Sequence, residues 1–116
     1  MLEKISDGKL YSIEVKGKIR IRPDYYDKYL PMELTATPAK ILHFLIKHSD
    51  TLLPLESLIQ MVWGDKKPNT LKTVSLLGVY MVAVRSFLED CQLDVEIFKI
   101  RDYIYFRTVP TNTLLH

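Results

Sequence analysis

Several things are scarce in this sequence, and each scarcity excludes something. There is one cysteine, Cys91, so no internal disulfide can form and the chain suits a reducing compartment. Cys91 follows Glu89 and Asp90, whose negative charge disfavours a thiolate, so it reads as a buried or inert thiol rather than a reactive one. Four glycines are too few to assemble a phosphate-cradling loop. His43, His48 and His116 have no Cys, Asp or Glu at metal-ligand spacing, and His43 lies between core-type residues, so neither a zinc site nor any cofactor is expected. Ser, His and Asp are present, but nothing in their order places a nucleophile beside a base, and the chain is not expected to be an enzyme. No run approaches the roughly 18 consecutive apolar residues needed to cross a bilayer. The start, Met1, Leu2, Glu3, Lys4, lacks an apolar signal core, so a soluble, unexported chain is expected. Charge of one sign is also lacking. Sixteen Lys and Arg against 14 Asp and Glu leave a net +2, which permits a polyanionic partner without demanding one.

What is present suffices for one core. At 116 residues, 47% of them hydrophobic and 26% charged, the chain reads as one globular domain over 1–116. No repeat or low-complexity tract interrupts it. From Lys9 to Arg22, Leu10, Ser12 and Glu14 alternate with Tyr11, Ile13 and Val15. A turn at Lys16, Gly17, Lys18 leads to Ile19 and Ile21 alternating with Arg20 and Arg22, which predicts a hairpin. Residues 23–31, with Tyr25, Tyr26 and Tyr29, are equally compatible with loop or with a short third strand ending near Leu34, so the first sheet covers about 9–34.

The period then changes. Thr37 followed by Pro38 is a helix start, the hydroxyl capping free N–H groups and the proline suiting the first turn. Ile41, Leu42 and Leu45 share a face, widened by Phe44 and Ile46, and the helix is expected over about 37–48. Pro54 supplies a second first-turn proline before Leu55, Leu58, Ile59 and Val62, for a helix over about 54–63. Gly64 is placed to take the left-handed terminal conformation, and Trp63 is better explained as core filling than as a ligand-stacking residue. Asp65, Lys66, Lys67, Pro68 and Asn69 form a polar loop. A longer helix runs from Thr70 over about 70–89, with an inner stripe of Thr73, Leu77, Met81, Val84 and Leu88. Residues 95–109, rich in Ile, Phe, Tyr and Val with a polar break at Arg101 and Asp102, predict a second hairpin. The class is α+β: an N-terminal antiparallel sheet, a three-helix core and a C-terminal hairpin.

Several segments resemble the OmpR/PhoB-type winged helix-turn-helix. Leu34, Thr35, Ala36, Thr37, Pro38, Ala39, Lys40, Ile41, Leu42 is similar to that family's Leu-Thr-Pro-Thr-Glu-x-x-Leu-Leu opening of its first helix. Leu58, Ile59, Gln60, Met61, Val62, Trp63, Gly64 resembles its Leu-Leu-x-x-Val-Trp-Gly, the most specific of these signals. Val84, Arg85, Ser86, Phe87, Leu88 looks like the Leu-Arg-Lys-Lys-Leu ending its recognition helix, and Arg101 with Tyr105 fits the wing's Arg-Gly-x-Gly-Tyr, with Asp102 and Ile104 replacing the glycines. The resemblance covers about residues 10–108. With the first hairpin starting near residue 9 there is no room for a receiver, so the chain looks nearest to the N-terminal domains of ToxR/CadC-like one-component bacterial transcription regulators. In that group a membrane-spanning segment follows, which would make this the cytoplasmic part of a membrane-anchored protein.

The resemblance implies a cytoplasmic transcription-regulation domain that binds double-stranded promoter DNA. Its third helix would enter the major groove and the hairpin wing the neighbouring minor groove, while basic residues neutralise phosphates. At 100° per residue the outward face of the third helix carries Lys72, Ser75, Val79, Val82 and Ser86, with Leu76 and Ala83 beside it. If Arg85 registers on the family's arginine, positions that usually hold DNA-contacting arginines are Ser75, Val82 and Ala83, and the family's Asp and His are Gly78 and Tyr80. Each lost charge-assisted contact removes about 1–3 kcal/mol, against a margin of specific over non-specific binding of about 4–10 kcal/mol. The DNA-binding candidates are therefore Lys72, Ser75 and Val79, with Lys99 and Arg101 on the wing and Lys66 and Lys67 in the loop. Arg107 completes the basic set, which reads equally well as solvated surface charge. The alternative is a degenerate winged helix acting as a protein–protein interaction module through Leu76, Val79 and Val82. Asp65 to Asn69 match the segment that approaches RNA polymerase in the family, and a homodimer or a partner regulator is a further expectation.

Overall fold

The computed structural model describes residues 9–24, 26–64, 71–93 and 95–108, with the backbone alone at 71 and 72. The first alternating segment forms two strands, β1 (Leu10–Val15) and β2 (Lys18–Pro23), paired antiparallel from Leu10 opposite Pro23 to Val15 opposite Lys18. Lys16 and Gly17 take φ values of 55° and 78° in the two-residue turn, as the right-handed twist of a tight hairpin requires. Of the two readings of residues 23–31 the loop is the one found past Pro23, and the third strand begins at Leu34, where it was expected to end. That two-residue strand, β3 (Leu34–Thr35), pairs with β2 to complete a sheet of order β1-β2-β3.

The first helix, α1 (Ala36–Lys47), starts one residue before the expected Thr37. Thr35 stands at its cap without a side-chain cap bond, so the anticipated Thr37 cap does not form. Ala36 has φ 64°, and that left-handed residue turns the chain out of the sheet into the helix. Ile41, Leu42 and Leu45 are fully buried on the expected face. His43 faces β1, its Nδ1 2.7 Å from the Ser12 hydroxyl, which gives this histidine a structural partner.

Pro54 does not open the second helix. It ends a strand that the sequence reading passed over, β4 (Leu52–Pro54), and occupies the cap position of α2 (Leu55–Trp63) in extended geometry, φ −63° and ψ 139°. Gly64 closes α2 with φ 70° and ψ −159°, a positive-φ region open in practice to glycine alone and distinct from the left-handed helical one expected. Trp63 is half-buried, its ring 6.2 Å from that of Tyr80, consistent with filling space between helices.

The third helix, α3 (Leu71–Asp90), buries Thr73, Leu77, Met81, Val84 and Leu88, the stripe read from the sequence. Its end is a Schellman arrangement: Gln92 takes φ 58° and donates to the Glu89 carbonyl, while Leu93 donates to that of Leu88. Cys91 lies buried in this turn, and desolvation, then the Asp90 charge, push its thiol up to about 11, as expected of an inert thiol. The final hairpin, β5 (Val95–Ile100) and β6 (Tyr103–Thr108), joins β4 in a second sheet of order β4-β6-β5. One hydrophobic cluster unites the molecule, from Ile19 and Ile21 of β2 through all three helices to Ile104 and Phe106 of β6.

Candidate nucleic-acid interface

A helix can enter a groove only where its outward side is free. The stripe of α3 that packs inward fixes which side that is. Ser75, Leu76, Val79, Val82 and Ser86 are exposed; Leu76 is 40%, Val79 63% and Val82 66% accessible. Ala83, expected beside this face, is half-buried. Ser75 to Ser86 spans about 16 Å at 1.5 Å per residue, the length of roughly five base pairs. Lys72 lies in the first turn of α3, its side chain outside the described residues. Asp65, Lys66, Lys67 and Asn69 also lie outside them.

The hairpin is held against the helices by contacts distant in sequence. Leu53 pairs with Ile104, and the first N–H of α2, on Leu55, donates to the Asp102 carbonyl at 2.8 Å. The turn of the wing therefore occupies the place that a capping side chain would take at the start of α2. Arg85 leaves α3 toward the hairpin and donates from Nη2 to the Ile97 carbonyl at 3.1 Å. Between α3 and the hairpin lies a groove of about 220 Å³ whose walls include Gly78, Val82, Arg85 and Lys99. Sequence reasoning used Arg85 only to set the register of the helix. The signal that could have placed it at this groove is its position between Val82 and the buried Leu88.

The wing cations divide into two kinds. Lys99 and Arg101 are exposed, and among the described residues neither forms an ion pair. Arg107 is engaged by Glu96 across the hairpin, with Nε 2.9 Å from the carboxylate, and that hydrogen bond and charge raise its pKa. Its charge is already matched, so it drops out of the free phosphate-seeking set. Arg101 sits in the tight turn at φ 56°, a conformation costing a non-glycine residue about 1–2 kcal/mol, and is exposed at the tip of the hairpin. Val82 and Lys99 thus border the groove, Ser75 and Val79 lie on the exposed side of α3 that Val82 shares, and Arg101 marks the wing's end.

A family model described as "Transcriptional regulatory protein, C terminal" matches residues 30–105, from the approach to β3 to the middle of β6. The chain belongs to that family. Members are transcription-regulator DNA-binding domains rather than enzymes, and the three helices with two antiparallel sheets agree with their winged-helix architecture. Among curated proteins, none matches the chain. The match to this transcriptional regulatory family leaves β1 and β2 outside it. No group of His, Cys, Asp and Glu among the described residues could hold a metal ion, and no described helix is long and apolar enough to cross a membrane.

Proposed function

We propose that this domain binds duplex promoter DNA, with α3 in the major groove and the β5–β6 wing over the adjacent minor groove. The observation that carries the reading is the division of α3: Leu77, Met81 and Val84 seat it in the core and leave Ser75, Val79 and Val82 to solvent. Ser75 supplies a hydroxyl for base edges, and Val79 and Val82 supply apolar contact, which suits thymine methyl groups. Lys72, Lys99 and Arg101, with Lys66 and Lys67 from the loop, supply phosphate charge, and Arg101 at the wing tip is the minor-groove candidate. The segment Asp65 to Asn69 is assigned to contact with RNA polymerase or a partner regulator. The domain is placed in the cytoplasm, in a ToxR/CadC-like regulator, acting as a homodimer.

Titration of a random-sequence duplex at several salt concentrations tests the reading. Binding should weaken as salt rises, and a Lys72→Ala, Arg101→Ala double variant should lower the log–log slope by about 2. A chain that binds no duplex even at low salt would overturn DNA binding and return the protein-interaction reading through Leu76, Val79 and Val82.

A further inference from the structure

Among the described residues β1 is an edge strand, since the first sheet runs β1-β2-β3. Three of its four exposed side chains are apolar: Tyr11 is 43%, Ile13 41% and Val15 55% accessible, and they lie opposite Arg22, Arg20 and Lys18 of β2, while the fourth, Glu14, points to the other face. Edges of soluble sheets are normally blunted by lysine, proline or a bulge. Leu10–Val15 carries none of these, and its only charge is Glu14.

The hairpin geometry fixes which backbone groups of β1 face outward. In a two-residue hairpin the closing pair, Val15 and Lys18, exchanges both backbone bonds, and bonded and non-bonded pairs alternate from there. Val15, Ile13, Tyr11 and Lys9 then turn toward β2, and Glu14, Ser12 and Leu10 turn to the open edge. Two hydrogen bonds agree with this parity: Asp24 N–H donates to the Lys9 carbonyl at 3.0 Å, and Leu30 N–H donates to the Ile21 carbonyl, on the far side of β2, at 2.9 Å. Among the described residues, no hydrogen bond reaches the backbone of Leu10, Ser12 or Glu14 from the open side.

We propose that two copies of this chain associate through β1, antiparallel about a two-fold axis at Ile13, to form one continuous six-stranded sheet. This register is self-complementary. Ile13 faces Ile13 of the second copy and Tyr11 faces Val15 in both directions, so every exposed apolar side chain of the strand gains an apolar partner. The outward backbone groups of Ser12 and Glu14 meet as a bonded pair. Centring on Ser12 instead would set Val15 against Lys9, and centring on Glu14 would set Tyr11 against the Gly17 turn. The basic rows of the two β2 strands end up three strand spacings apart, about 14 Å, beyond the Debye length of about 8 Å at physiological salt, so they do not oppose the pairing. The contact is small and belongs to the weak, concentration-dependent class. It lies outside residues 30–105 and does not depend on DNA binding.

Cross-linking of the full chain tests the register. Ile13 pairs as a non-bonded couple with Cα atoms about 4.5 Å apart, within disulfide reach, so an Ile13→Cys variant should oxidise to a covalent dimer. Tyr11→Cys and Val15→Cys should cross-link efficiently only when mixed with each other. Cys91 is buried and stays out of the reaction. In sedimentation, the unaltered chain should associate as its concentration rises into the hundreds of micromolar, and Ile13→Glu should remain a monomer with an unchanged thermal midpoint, because residue 13 contributes little to the core. A chain that stays monomeric throughout, or an Ile13→Cys variant that cross-links no faster than Val15→Cys alone, would overturn the proposal.

Discussion

The first sheet and the α3 side of the molecule both present apolar rows to water, for different physical reasons. In the first sheet the inner positions of β2 are taken by Ile19 and Ile21, and antiparallel register then forces Tyr11, Ile13 and Val15 of β1 onto the side occupied by Lys18, Arg20 and Arg22. In α3 a helix has more than one face, the inner stripe is spent on the core, and Val79 and Val82 are what remains. The first row lies outside the family match and the second within it. The turns differ less: each opens on a cation in the left-handed region, Lys16 at φ 55° and Arg101 at φ 56°, and only the first follows it with a second positive-φ residue, Gly17 at 78°. An apolar row beside an open strand edge fits a copy of itself; one on the outward face of a helix beside a cationic wing fits a groove.

The largest expected effect asks whether the two regions are one cooperative unit. Phe106→Ala, at a fully buried site in β6, should cost about 3–5 kcal/mol, and Ile21→Ala in β2 about 2–5 kcal/mol. Because one cluster contains both, each should lower a single denaturation midpoint. Separate transitions for the two sheets would break the comparison at its root.

The two apolar rows can next be told apart by their ligands. Replacing thymine with uracil in an A·T duplex removes the methyl groups assigned to Val79 and Val82, and affinity should fall by roughly tenfold, at about 0.8 kcal/mol for each of two methyl-sized groups. Val79→Ala with Val82→Ala should erase that difference, and Tyr11→Ala should leave it intact. Equal binding to both duplexes would remove the valines from base reading.

The turns provide a smaller, mirror-image pair. Gly17→Ala should destabilise the chain by about 1 kcal/mol, and Arg101→Gly should stabilise it by up to about 1 kcal/mol while weakening duplex binding. Thermal midpoints and salt-dependent titrations check both signs. A last effect, confined to alkaline pH, concerns Cys91 in the turn that ends α3. Since the fold raises its thiol pKa from 9.0 to about 11, the unfolded chain ionises first. Its contribution to stability is therefore complete below pH 9 and lost as the pH rises through about 11, a slope that Cys91→Ala should flatten.

The candidate site was legible to different depths. Ser75, Leu76, Val79 and Val82 could be placed outward because helical period alone sorts the faces of a 20-residue helix once its buried stripe is known. Arg107 could not be separated from Lys99 and Arg101, because its matching by Glu96 depends on strand register. The role of Arg85 was hidden for the same reason: its acceptor is a backbone carbonyl twelve residues away, and carbonyls leave no mark in a sequence. The strand Leu52–Pro54 is too short for a period of two to register, so in the sequence Pro54 resembles the start of a helix that its neighbour begins.

By itself the sequence determined the order of the two hairpins and the three helices and the residues that form the helices' inner stripes, since spacings of two, three and four residues are local and each commits a segment to one geometry. Tertiary structure decided which side of β1 faces the core, what closes the first turn of α2 and which wing cations remain unmatched. Those outcomes are set by partners far along the chain, Ile19 and Ile21 for β1, the Asp102 carbonyl for α2 and Glu96 for Arg107, and they exist only once two backbones have taken a register against each other.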